Sequence, residues 1–273
     1  MKTLSKIGYY LFAAALVSFF LTPYVWQLIT SLKPSEELAM LPPLLPAKLV
    51  WQNYVEVFTG RPFARIILNS AAVATSTTLL CLALGSLAGY ALAKLPVRRK
   101  RVILLLVLAV SMFPPIATVS PLYLMIRSMG WRDTYLALIF PYATFSLPLA
   151  IWILTNFFRE IPDELSEAAV IDGCTPFQIF RRIFLPLAAP GVFTAAILIF
   201  IFAWNEFLLA LTFTATEKSR TIPVGIALFP GLHEIPWAEI AAASIIVTVP
   251  LILVVLVFQR RILAGLTAGA VKA

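Results

Sequence analysis

The stretch that decides the fold is REIPDELSEAAVIDGCTPFQIFRRIFLPLAA, residues 159–189. It is polar among apolar neighbours, and its punctuation predicts two short helices at an angle. Pro162 suits a first helical position, and Asp163, Glu164 and Glu167 put negative charge near the positive end of the helix dipole. Gly173 supplies the left-handed residue that ends this helix. Thr175 and Gln178 then have the spacing of a capping box, with Pro176 at the next first helical position. Phe177, Phe180 and Phe184 recur at helical spacing while Arg181 and Arg182 face away, until Pro186 stops the second helix. Five of the chain's thirteen acids (Glu160, Asp163, Glu164, Glu167 and Asp172) fall in the first half of the stretch, so its exposed face is acidic. Ala168 and Ala169 carry little side chain there and would let another protein's backbone approach closely.

On both sides the sequence turns apolar. Of 273 residues, 61% are hydrophobic and 12% charged, and the mean hydropathy is +0.94. A water-soluble domain carries about 25% charged residues. A hydrocarbon core roughly 30 Å thick takes about 20 apolar helical residues. Six runs of that order occur, at 8–32, 66–95, 102–126, 135–158, 190–212 and 240–258. Lys2 and Lys6 precede the first run as they would in a secretory leader. Its core nevertheless continues through Tyr24 and Trp26 without a small-residue cleavage site, so it reads as a retained signal anchor. The chain is predicted to be all-α and integral to the membrane, with six transmembrane helices.

Lys and Arg gather beside one set of loops, above all in the turn 96–101 with Arg98, Arg99, Lys100 and Arg101. By the positive-inside rule this turn, both termini and the loop 159–189 are cytoplasmic. The loop 33–65, with aromatic anchors Trp51, Tyr54 and Phe58, and the loop 213–239 lie outside. The net charge of +8 therefore marks a bilayer as partner rather than nucleic acid.

Several chemistries are excluded. Cys81 and Cys174 form no disulfide framework, and with a lone His233 they leave no metal-ligand spacing. No catalytic constellation is present, and no phosphate-binding loop, so any ATP is bound by another polypeptide. An ion-coupled secondary transporter would show a repeated fold and paired intramembrane acids. No repeat is found, and only Glu206 qualifies as such an acid. An ionised carboxylate at bilayer depth costs at least about 2.5 kcal/mol, so Glu206 should face protein or water. Trp204, Asn205 and Glu206 are read either as part of a solute pathway or as structural contacts. Asn69, Ser70, Thr75, Ser76, Thr77 and Thr78 are equally open, because hydroxyls commonly bond their own helix. Gly85 and Gly89 would allow close helix packing. Pro114 and Pro115 are expected to break the third span, and Pro141, Pro148 and Pro250 to interrupt others.

The spacing inside the cytoplasmic loop is specific. Glu167-Ala168-Ala169, three residues, Gly173, nine residues, Ile183, one residue and Leu185-Pro186 resemble the EAA loop of permease subunits of binding-protein-dependent ABC importers. Further matching stretches are Ser31-Leu32-Lys33-Pro34, Met112-Phe113-Pro114, Phe158 to Pro162 and Trp204-Asn205-Glu206. The ending, from Gln259-Arg260-Arg261 through Gly265-Leu266 to Gly269-Ala270-Val271-Lys272, matches too, apart from Ala273 where the family commonly has glycine. These features resemble MalG-like subunits of carbohydrate importers, and the run from Pro186 to Asn205 is most similar to the trehalose and maltose branch.

The resemblance implies an ABC importer type I (MetI-like) permease fold in a prokaryotic inner membrane. It implies a first helix and external loop over 1–64, a permease domain over 65–262 and a cytoplasmic tail over 263–273 that reaches between ATPase subunits. Its partners would be a homologous MalF-like permease subunit, two ATPase subunits that carry ATP and Mg, and an extracytoplasmic sugar-binding protein. Glu167, Ala168, Ala169, Asp172, Gly173, Ile183, Leu185 and Pro186 would form the coupling helix, with Glu167 against a basic group of the ATPase and Gly173 making the bend. The external segment 216–237 would probe the binding protein's cleft. The solute would be trehalose, maltose or a related di- or oligosaccharide, with glycerol phosphate as an alternative.

Overall fold

A computed structural model of the chain describes residues 2–38, 43–229 and 235–267, and the regular structure in them is entirely helical. Four helices are long and apolar enough to cross a membrane: α1 (Lys2–Ser31), α4 (Phe63–Lys94), α7 (Leu136–Glu160) and α14 (Trp237–Thr267). Two bent pairs also pass, α5 (Lys100–Ser111) with α6 (Pro115–Ser128) at 86°, and Pro176–Leu187 with α11 (Ala189–Asn205) at 77°, which brings the count to six if each pair is one span.

Proline acts unequally. Pro114 is extended, with φ −65° and ψ 124°, and Pro115 opens α6, so the third span breaks there as expected. Pro141 and Pro148 lie inside α7, and Pro250 inside α14, without interrupting either helix. That corrects the sequence reading. One proline removes a single hydrogen bond, and in α7 both rings are buried, so packing holds the axis. Two adjacent prolines remove consecutive donors and leave no helical path. The run 190–212 is likewise broken: α11 ends at Asn205, and α12 (Leu208–Phe213) begins after Glu206 and Phe207.

The chain forms two compact units, residues 1–63 with 226–250 and residues 64–225 with 251–273. In the first, Ser31-Leu32-Lys33-Pro34 is a tied corner. The Asn53 amide donates to the carbonyls of Ser31 and Lys33 at 2.9 and 3.0 Å, and the Ser31 and Tyr54 hydroxyls are 2.7 Å apart. The fully buried Lys33 donates to the Pro43 carbonyl and sits 4.7 Å over the Trp26 ring. Arg61 donates to the Phe229 carbonyl at 2.7 Å, stacks on that ring and lies 3.8 Å from Glu239.

In the second unit α4 packs along α7 through its small residues. A Cβ at Gly85 would lie 2.8 Å from the Ala150 Cβ, and one at Gly89 3.0 Å from the Thr155 nitrogen. At the outer end Asn69 and Ser70 are structural rather than solute-facing. The Asn69 amide donates to the carbonyls of Glu217 and Arg220 at 3.0 and 2.9 Å and accepts from the Tyr135 hydroxyl at 2.6 Å. Ser70 accepts the Ile222 N–H at 2.8 Å.

Asp133, held at φ 61°, completes the junction. Its carboxylate accepts the N–H groups of Ala215 and Thr216 at 2.8 and 2.9 Å and the hydroxyls of Thr216 and Ser219 at 2.5 and 2.6 Å. Partial burial pushes this carboxyl up, but the bonds from Ser219 and Thr216 and the two backbone N–H groups outweigh it and hold it well below the usual carboxylate range. A depressed folded value means that this stabilisation is complete above the unfolded carboxylate range, near pH 4, and is lost as pH falls through the folded value. Asp133→Ala should lower the thermal midpoint in detergent, by at least about 2 kcal/mol of stability. The gap from wild type should persist at neutral pH and close only in strong acid; equal midpoints at pH 7 would show the junction to be idle.

Candidate functional site

The cytoplasmic loop folds as a helical corner. The first helix, α8 (Glu164–Ile171), has Asp163 as its N-cap residue, with the Asp163 carbonyl accepting the N–H groups of Ser166 and Glu167 at 2.9 and 3.1 Å. Pro162 thus precedes the cap instead of opening the helix, and the Asp163 side chain makes no cap bond of its own. Its carboxylate lies 2.5 Å from the Lys94 ammonium, which also donates to the Ile161 carbonyl at 2.5 Å. The hydrogen bond from Lys94 and its charge hold the Asp163 carboxyl below the ordinary value.

Gly173 ends α8 at φ 79°, and the Cys174 N–H closes back on the Ala169 carbonyl at 2.9 Å. The capping box is present in full: Thr175 accepts the Gln178 N–H at 3.3 Å and donates its own N–H to the Gln178 side chain at 2.8 Å. Both features follow the sequence reading. Pro186 does not stop the second helix as expected. That helix runs as α9 (Pro176–Ile179), a π turn (Phe180–Phe184) and α10 (Leu185–Leu187), and bends only at Ala188. A proline at 186 cannot donate to the Arg182 carbonyl and crowds it. The wider turn, in which the Leu185 N–H reaches back to the Phe180 carbonyl, relieves that crowding.

Phe180 and Phe184 are buried, with ring centroids 5.3 Å from Tyr90 and 6.2 and 6.4 Å from Phe158. Phe177 is exposed. Ala169, Ile179 and Ala188 join the aromatic cluster, and Ile183 and Leu185 pack against it. The residues chosen from the sequence therefore separate into two groups. Glu167, Ala168, Asp172, Gly173 and Pro186 face outward, whereas Ala169, Ile183 and Leu185 turn into the chain's own core. The expectation that another protein's backbone approaches closely at Ala169 is corrected, since α8 spends that face on its own packing, whereas Ala168 remains exposed. Sequence reasoning missed the neighbours of Glu167: Val170 and Ile171 are exposed, Ile171 at 86%. It also missed Lys94, whose role depends on two segments far away in the chain.

Trp204, Asn205 and Glu206 are consecutive but do not converge. Trp204 is buried and stacks on Phe200 with ring centroids 5.5 Å apart, and the exposed Asn205 donates to the Ile201 carbonyl at 2.8 Å. Glu206 sits at the break, where its carboxylate accepts the N–H groups of Leu209 and Ala210 at 2.9 and 3.1 Å and faces Tyr142. Among the described residues no group of His, Cys, Asp or Glu could hold a metal ion. His233, Gly269 and Lys272 lie outside the described residues, while Gly265 falls within α14.

Residues 82–267 match the family described as binding-protein-dependent transport system inner membrane component. The chain is 47% identical over 258 residues to the trehalose transport system permease protein SugB of Mycobacterium tuberculosis, covering 94% of each chain. It is 43% identical over 256 residues to the trehalose/maltose transport system permease protein MalG of Thermococcus litoralis, covering 92% of this chain and 91% of that one. In fold it resembles a bacterial ABC transporter involved in the import of the acidic polysaccharide alginate, with a TM-score of 0.80 at 21% identity over 94% of this chain and 96% of that one. A helical chain with several membrane-spanning elements thus belongs to the family of inner-membrane components of binding-protein-dependent transport systems, as a non-catalytic permease subunit whose ATPase is a separate polypeptide.

Proposed function

We propose that the chain is one membrane half of an ATP-driven importer for trehalose, maltose or a related di- or oligosaccharide, and that the corner 159–189 couples it to the ATPase. The observation that carries the coupling role is the division of α8: Glu167, Ala168 and Asp172 point outward beside exposed Val170 and Ile171, while Ala169 anchors the helix inside. An acidic rim around an apolar centre fits a basic-rimmed cleft. The names of the two relatives support the sugar class. In this reading a MalF-like subunit forms the other membrane half, ATP and Mg reside on two ATPase subunits, and the segment 216–237 meets an extracytoplasmic binding protein. The tail 263–273 reaches toward the ATPases. Asn205 lines the pathway, with Trp204 behind it and Glu206 holding the break open. The ion-coupled alternative gains no support from Glu206, whose carboxylate is occupied by two backbone N–H groups.

The test is to co-purify the subunit with its partners and measure ATP hydrolysis on adding the binding protein with trehalose, maltose or glycerol phosphate. Stimulation by trehalose or maltose is expected; stimulation by glycerol phosphate alone would overturn the sugar assignment. In the same preparation Asn205→Ala should change uptake with basal hydrolysis intact. Unchanged uptake would remove Asn205 from the pathway.

A further inference from the structure

Lys94 joins three pieces of chain that are far apart in sequence. It is the last residue of α4, and its ammonium lies 2.5 Å from the Ile161 carbonyl, 2.5 Å from the Asp163 carboxylate and 5.4 Å over the Phe184 ring. The first two partners lie just before α8, and the third lies in the π turn of the second coupling helix. Its side chain is 6% exposed, while that of Asp163 is 76% exposed. The ammonium is therefore fixed from the inside, and the loop is brought to it. Lys100 is also close enough to act on Asp163, but its own ammonium is directed to the Ala93 carbonyl at 3.4 Å.

We propose that Lys94 is a positioning residue, the strut that makes α4 follow the coupling corner when the corner is displaced. The inference rests on the coupling reading given above. The aromatic contacts of Tyr90 with Phe180 and Phe184 are short-ranged and non-directional, and they allow sliding. The contacts of Lys94 are charge-assisted and directional. Shifting the corner without α4 would leave a nearly buried ammonium without its acceptors, which is far costlier than moving the two together. Because α4 is clamped to α7 through Gly85 and Gly89, a pull on Lys94 reaches two spans at once.

The experiment uses the importer reconstituted in liposomes with its partner subunits and binding protein, and compares wild type with Lys94→Met, Lys94→Arg and Asp163→Asn. Three quantities are read: ATPase co-purifying with the membrane subunits, ATP hydrolysis, and trehalose or maltose transported per ATP. Lys94→Met should retain the ATPase and lower sugar moved per ATP by about fivefold or more. Asp163→Asn should lower it less, because the Ile161 carbonyl remains, and Lys94→Arg should restore most of it. An unchanged ratio in Lys94→Met overturns the proposal, as does loss of bound ATPase in Asp163→Asn, which would make the contact a docking support only. Should Lys94→Met fail to assemble, the exposed Asp163→Asn decides alone by its ratio. Failure of the coupling reading itself looks different: Glu167→Lys would then transport normally whatever the Lys94 variants do.

Discussion

Glu167→Lys is expected to leave the subunit in the membrane while abolishing sugar uptake and binding-protein-stimulated ATP hydrolysis. Glu167 is exposed on α8, and among the described residues it forms no ion pair. Exposed substitutions of that kind change folding stability by about 0.5 kcal/mol or less. The same reversal at an interface sets like charges against each other, which costs several kcal/mol and so suppresses assembly or coupling by more than about a hundredfold. The contrast between an unharmed fold and a lost activity is the informative part. Membrane amounts from immunoblotting, set beside uptake and stimulated hydrolysis in the same cells, separate the two. Normal uptake by the variant would sink the coupling role.

Gly89→Leu should act through the opposite balance, with little direct effect on any partner and a large one on the fold. At Gly89 an added Cβ would meet the Thr155 nitrogen at 3.0 Å and the Leu154 Cβ at 3.1 Å. The first of these is backbone and cannot rotate away. A larger side chain must push α4 off α7, which costs typically about 1–3 kcal/mol and more when the backbone is the obstacle. In lipid the loss is sharper, because close backbone approach is itself a main source of helix association. The expected result is less folded protein in the membrane and a lower thermal midpoint in detergent. A midpoint equal to that of wild type would show that the helices are not in contact there.

Much of the architecture was legible in the sequence because each feature rested on a local cause. Hydropathy alone located four unbroken helices of spanning length and the apolar parts of two bent pairs, and Gly173, Thr175 and Gln178 marked the helix ends within one loop because turn and cap chemistry act over a few residues. What could not be read depended on partners distant in the chain. The inward turn of Ala169 is set by packing against Phe184 and its neighbours, and a helix as short as α8 has too little periodicity to reveal which alanine faces inward. Pro114 breaks a span while Pro148 does not, and the difference lies in an adjacent proline and in burial, of which only the first is written in the sequence. Glu206 stays open between solute contact and structural role in the sequence because its donors, the N–H groups of Leu209 and Ala210, become available only once the helix has broken. Asp133 drew no notice at all. A single acid in a short turn says nothing until residues 215–219 arrive beside it.

That last junction also bears on how quickly anything outside can be received. Fixing one flexible backbone residue costs about 1–2 kcal/mol of conformational entropy. In the stretch from Ala215 to Ile222 that cost is already met inside the subunit, by bonds from Asp133, Asn69 and Ser70. A protein that landed there would meet a surface set in advance, so little of its contact energy would go into ordering the stretch and more would remain as affinity.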